Sequence, residues 1–85
     1  MDVKIFTMKG CKHCDNLKQQ LNENNIEFIE IDVDENEKLY ENFSKKVDND
    51  FLPAIIVGKT VFVPDRSFKT INEAVKHIKT HLQVL

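Results

Sequence analysis

The 85-residue chain has no tryptophan, two glycines, two prolines and two cysteines, and each scarcity removes a class of function. The glycines, Gly10 and Gly58, lie too far apart to build the glycine-rich loops that cradle phosphates or dinucleotides. Two cysteines cannot form the multi-bridge framework of a small disulfide-stapled secreted domain. No apolar run approaches the roughly 20 residues that a membrane-spanning helix needs. Positive charge is not in excess either. The 12 Lys and Arg stand against 14 Asp and Glu, a net charge of −2, which disfavours the basic face of a generic nucleic-acid binder. The first residues, Met1-Asp2-Val3-Lys4, lack the charged beginning and long apolar stretch of a secretory signal. These absences predict one domain, residues 1–85, in the cytoplasm, monomeric and without nucleic acid or membrane as partner.

What is present is a regular alternation of short apolar runs. Val3-Lys4-Ile5-Phe6-Thr7 reads as a strand. Met8-Lys9-Gly10 turns the chain, and a helix follows from about Lys12 to Glu23 with Cys14, Leu17 and Leu21 on one face and Lys18, Gln19 and Gln20 toward water. Asn22–Asn25 ends that helix, since asparagine competes for backbone hydrogen bonds and tolerates left-handed turns. Ile26–Ile31 is a second strand, so strand, helix and strand form a right-handed parallel unit. Asp34 is the expected N-cap of a second helix, with Glu37 completing a capping box, and Leu39, Tyr40, Phe43 and Val47 form its apolar side. Pro53 leads into Ala54–Val57. Gly58-Lys59 suits a type II′ hairpin turn, and Thr60–Val63 returns antiparallel. A last helix over about Phe68–Leu82 carries Ile71, Val75, Ile78 and Leu82 on one stripe. The predicted order is β-α-β-α-β-β-α, an α/β fold with a four-stranded mixed sheet flanked by three helices.

Both cysteines sit in Lys9-Gly10-Cys11-Lys12-His13-Cys14, where the first strand hands over to the first helix. In a reducing compartment a close pair is catalytic or metal-binding more often than structural. Thiol–disulfide exchange needs one thiolate to attack and a second thiol to resolve the mixed disulfide. Cys11, beside the unsatisfied N–H groups of the first helical turn, is assigned as the attacking thiolate. Cys14, one turn inside, is assigned as the resolving thiol. A free cysteine has a pKa of about 8.5, and a helix terminus contributes roughly 0.3–1 kcal/mol toward the anion, up to ~2 when partly buried. Nearby cations must therefore help, and Lys9, Lys12 and His13 are the candidates. An imidazolium or N–H donor at His13 would stabilise reduced Cys11 and make the disulfide more oxidising.

The element order, the Cys11-x-x-Cys14 pair after strand one and a proline opening strand three resemble the thioredoxin fold. Chain length and the nearness of the motif to the N-terminus resemble its glutaredoxin branch. The resemblance implies a dithiol–disulfide oxidoreductase without a bound cofactor, serving electron transfer and redox homeostasis. It implies protein or small-molecule disulfides as substrates, with ribonucleotide reductase or a peroxidase fitting equally. The implied reductant is glutathione or a thioredoxin-reductase-type flavoprotein. Lys9 stands where glutaredoxins often carry a lysine. A histidine before the second cysteine is similar to the oxidising periplasmic members of the superfamily. The resemblance also implies a cis Pro53 facing the disulfide, and a Leu52 whose backbone groups pair with an extended thiol substrate. Asp65 or Ser67 would accept from the glutathione amino group, although Val63-Pro64 replace the family's Gly-Gly and Pro64 offers no N–H. Ser67 could instead cap the last helix. The compact build is shared by small phage and archaeal redoxins, so a phage source is compatible with it.

Two other classes compete. Cys11, Cys14, His77 and His81 supply four soft zinc ligands, but the halves lie far apart in the chain compared with the 12–15 residues or so of a zinc finger. Both histidines fall on the flank of the last helix, consistent with surface positions. A redox-inactive interaction module would need neither thiol. Asp32 and Asp34 form no acid–base pair, because helix capping explains them.

Overall fold

The computed structural model describes residues 2–83. β1 (Val3–Thr7) and α1 (Lys12–Glu23) lie where the apolar spacing puts them, and β2 (Ile29–Asp32), α2 (Glu37–Val47), β3 (Ala54–Val57), β4 (Thr60–Phe62) and α3 (Ile71–Gln83) follow. The sheet order is β2-β1-β3-β4. β1 runs parallel to β2, with Ile5 opposite Glu30, and antiparallel to β3, with Ile5 opposite Ile55. β3 and β4 pair antiparallel across the Gly58-Lys59 turn, with Val57 opposite Thr60. Gly58 has φ 62° and Lys59 is not among the positive-φ residues, the pattern of the expected type II′ turn.

Period-two alternation divides the core between the two sheet faces. Val3, Ile5, Ile55 and Val57 point to the side covered by α1 and α3, where they meet Leu17, Leu21, Ile71, Ala74, Val75 and Ile78. Fully burying each such side chain is worth about 1.5–3 kcal/mol, so this face supplies most of the hydrophobic stabilisation. Phe6, Ala54 and Val63 point to the opposite side, under α2. There Phe6 packs against Tyr40 and Phe43, with ring centroids 5.4 and 4.6 Å away. α2 contributes no fully buried residue. It rests on the sheet through Tyr40, Phe43 and Val47, whereas Leu39, expected on the same side, is 53% exposed.

Several element boundaries differ from the sequence expectation, each for a local hydrogen-bonding reason. β2 begins at Ile29 rather than Ile26. Asn25 adopts φ 56°, the Ile26 N–H donates to the Leu21 carbonyl at 2.9 Å, and the Asn25 N–H donates to Asn22 at 3.1 Å. That is a Schellman closure of α1, and it takes the Ile26 N–H away from the sheet. α2 begins at Glu37 with Asn36 as its cap residue. Asp34 does not cap it: the cap position falls two residues later, and the Asp34 N–H donates back to Asp32 Oδ1 at 2.8 Å within the preceding loop. α3 begins at Ile71 rather than Phe68. Thr70 caps it by accepting the Glu73 N–H at 3.2 Å, while the Glu73 carboxylate accepts the Lys69 N–H. Ser67 is not that cap. Its Oγ accepts the Val63 N–H at 3.1 Å and its N–H donates to the Val63 carbonyl, closing a turn at the end of β4.

Candidate active site

The strand-to-helix junction is built by a tight turn. The Cys11 N–H donates to the Met8 carbonyl at 3.2 Å and Gly10 has φ 82°, the backbone of a type II turn with its positive-φ residue third. A Cβ at Gly10 would meet nothing within 4 Å, so conformation rather than space calls for glycine here. Cys11 follows as the N-cap of α1, with extended φ −83° and ψ 106°. Its carbonyl takes the Asp15 N–H at 3.1 Å, and its Sγ accepts the Cys14 N–H at 3.1 Å. The sulfur thus stands where a serine or aspartate oxygen would cap a helix. A thiolate there meets the donors and partial positive charge of the helix start.

Cys11 and Cys14 are joined as a disulfide, with Cα atoms 5.2 Å apart. The two sulfurs are unequally accessible. Cys14 is fully buried, while Cys11 is only half-buried. An incoming thiol or disulfide can therefore reach Cys11 alone.

A cleft of about 480 Å³ opens at His13, between the two cysteines in the chain, although neither cysteine lines it. One wall is the start of α1, with His13 and Asn16. The floor is the Phe51-Leu52-Pro53 segment. The far side is the Pro64-Asp65 turn and the residues that open α3, from Phe68 to Asn72. The Leu52–Pro53 peptide bond is cis; Pro53 is buried and Leu52 half-buried. Among the described residues no hydrogen bond occupies the Leu52 N–H or C=O. His13, Leu52, Pro53 and Asp65 thus share one cleft. Lys9 and Lys12 are exposed on the cysteine turn but do not line it. Asp65 sits at φ 68°, with its N–H donated to Phe68 at 2.9 Å.

Sequence reasoning missed the far side of this cleft, Phe68 to Asn72. The signal was present: Thr70-x-x-Glu73 has capping-box spacing and marks where α3 starts. It also missed that Phe51 is 56% exposed beside the cleft. His77 and His81 lie against Phe62, the first ring stacked at 5.7 Å and the second edge-on at 6.1 Å. Among the described residues no group of three or more His, Cys, Asp or Glu side chains is placed to hold a metal ion.

A mixed four-stranded sheet between three helices, with a Cys-x-x-Cys disulfide at the first helix start and a cis proline opening β3, defines a thioredoxin-fold protein. The chain belongs to the glutaredoxin family, whose model matches residues 3–62. It is 32% identical over 59 residues to N-acetyl-S-hydroxy-L-cysteine reductase of Bacillus subtilis (strain 168). That match covers 69% of this chain and 63% of the relative's length. Among solved structures it resembles the glutaredoxin-like protein NrdH-redoxin from Escherichia coli, with a TM-score of 0.70, 25% identity, and coverage of 85% of this chain and 92% of that one. It also resembles a glutaredoxin from Brucella melitensis, with a TM-score of 0.67, 22% identity, and coverage of 94% and 80%.

Proposed function

We propose that the protein is a dithiol–disulfide oxidoreductase in which Cys11 attacks and Cys14 resolves. The observation that carries this reading is the unequal burial of two bonded sulfurs at a helix start. In the reduced protein the Cys11 thiolate attacks one substrate sulfur, forming a mixed disulfide and releasing the other substrate sulfur as a thiolate. The Cys14 thiol loses its proton and attacks Cys11 Sγ. That closes the internal disulfide and releases the second substrate thiol, so two electrons pass to the substrate. Lys9 and Lys12 as cations, and His13 as an imidazolium or N–H donor, tune the Cys11 thiolate. The unoccupied Leu52 backbone groups pair with an extended substrate in the manner of strand addition.

The reductant is a thioredoxin-reductase-type flavoprotein rather than glutathione. In the family, backbone donors after β4 hold one end of glutathione. Here Pro64 has no N–H, and the Asp65 and Ser67 N–H groups are already bound to Phe68 and Val63. Asp65 still lines the cleft and remains the candidate acceptor for a substrate ammonium group. The thioredoxin-like activity profile described for NrdH-redoxin supports the same choice.

The Bacillus relative's name favours a second substrate class, a small S-hydroxylated cysteine derivative. Attack by the Cys11 thiolate on such a sulfur breaks the S–O bond and releases hydroxide, which takes up a proton to leave as water. Cys14 then frees the thiol. A cleft of this size fits such a molecule.

Two measurements test these readings. A Cys14→Ser protein should accumulate a mixed disulfide at Cys11 visible by mass spectrometry, and none forming would refute the exchange mechanism. NADPH-driven turnover should appear with thioredoxin reductase and stay at background with glutathione plus its reductase. The reverse pattern refutes the flavoprotein assignment.

A further inference from the structure

We propose that Asn49 is a positioning residue that sets the spacing between two lips of the substrate cleft. Its one side-chain amide spans both. Oδ1 accepts the Phe51 N–H at 2.9 Å, and Nδ2 donates to the Pro64 carbonyl at 3.2 Å. The amide orientation follows from its partners, since an N–H requires an acceptor and a carbonyl requires a donor. Its own N–H donates to the Ser44 carbonyl at 3.1 Å, which moors it to the last turn of α2. Phe51 opens the segment that carries Leu52 and cis Pro53, and Pro64 opens the turn that carries Asp65. Both segments line the cleft, and Asn49 does not.

The geometry separates this role from general support of the fold. Arg66 already ties the Pro64–Ser67 turn to the end of α2, donating to the Val47 carbonyl at 2.6 Å and the Asp48 carbonyl at 3.1 Å. Removing the Asn49 amide therefore leaves that turn attached to α2. What is lost is the side-chain tie between the Phe51 and Pro64 segments beyond the end of the β3–β4 pairing at Ile55 and Phe62. An extended substrate must fit between them before its sulfur meets Cys11, so a change in their spacing weakens the hold on the substrate, which raises KM with kcat unchanged.

This inference rests on the oxidoreductase reading, and the experiment keeps the two separable. Wild type, Asn49→Asp and Asn49→Ala are assayed for kcat and KM with a short disulfide-bonded peptide and thioredoxin reductase. Alkylation of reduced Cys11 by iodoacetamide and circular dichroism are followed alongside. Asn49→Asp keeps the acceptor for Phe51 and sets an oxygen against the Pro64 carbonyl, so it breaks one tie only. The expected result is a KM raised about tenfold in Asn49→Ala and less in Asn49→Asp. The kcat and the alkylation rate should stay within about twofold of wild type, the pattern of an interaction that holds the substrate without acting on the chemical step. An unchanged KM in a folded variant overturns the proposal. So does slowed alkylation, which would place the effect at Cys11 itself, and so does failure of both variants to fold, which would make Asn49 merely structural. If only Asn49→Ala fails to fold, Asn49→Asp decides. A wild type inert toward the peptide both with thioredoxin reductase and with glutathione plus its reductase overturns the oxidoreductase reading instead.

Discussion

The Thr7 hydroxyl donates to Glu30 Oε2 at 2.6 Å across the parallel β1–β2 pair. Thr7 is opposite Asp32 in the register, so Glu30 is its diagonal neighbour on the same face. The Lys18 ammonium on α1 donates to the same oxygen at 2.9 Å and lies 3.5 Å from Asp15. One carboxylate oxygen thereby joins both strands to the helix that carries the cysteines. The Thr7 hydrogen bond first, and the Lys18 hydrogen bond second, hold Glu30 below the usual carboxylate pKa.

A carboxylate whose pKa is lowered by folding adds stability above its unfolded value and loses it as pH falls through the folded one. Acidification from about pH 5 to about pH 3 should therefore lower the Tm of wild type more than that of Glu30→Gln, the unfolded value being about 4.3. The Glu30 side chain is 40% exposed, so solvent screening keeps the difference small, on the order of a few degrees. Parallel Tm–pH curves would refute the linkage.

Lys12 and His13 are both exposed, but only His13 lines the cleft with Pro53. The His13→Ala protein should form its Cys11 thiolate at higher pH, read from thiolate absorbance, and have a more negative disulfide potential. Lys12→Ala should move both less. Identical thiolate titrations for wild type and His13→Ala would sink the tuning role.

Leu17 is fully buried between α1 and the sheet, and Leu39 is half exposed on α2. Leu17→Ala should cost about 2–5 kcal/mol in urea unfolding. Leu39→Ala should stay within about 0.5 kcal/mol of wild type. A Leu39→Ala loss comparable to that of Leu17→Ala would place Leu39 in the core after all.

Thr70→Ala removes the side-chain acceptor at the start of α3 and should cost about 1 kcal/mol. Faster amide hydrogen exchange at Glu73 would locate the loss at that cap. Unchanged stability and exchange would contradict the assignment.

The legible part of the fold was set by short-range spacing. Cys14, Leu17 and Leu21 recur at helical period and proved buried, β3 is apolar throughout, and β1 is apolar except at exposed Lys4 and buried Thr7. The errors fell at element ends. Asp34 was the expected cap of α2, yet its N–H folds back on Asp32. Ser67 suits an α3 cap by residue type, yet it closes the turn after β4. Serine and aspartate cap turns and helices with the same short side chain, so residue type alone could not separate the two uses.

By itself the sequence determined the order of elements, the location of both sulfurs at a strand-to-helix junction and a proline at the head of the third strand. These follow from periodicity and from which residues neighbour one another along the chain. Only the tertiary structure decided that Cys14 is sealed while Cys11 is reachable, that His13, Pro53 and Asp65 share a cleft, and that Lys18 and Thr7 meet on Glu30. Each depends on contacts between segments distant in sequence, and burial and hydrogen-bond partners of that kind exist only once the chain has packed.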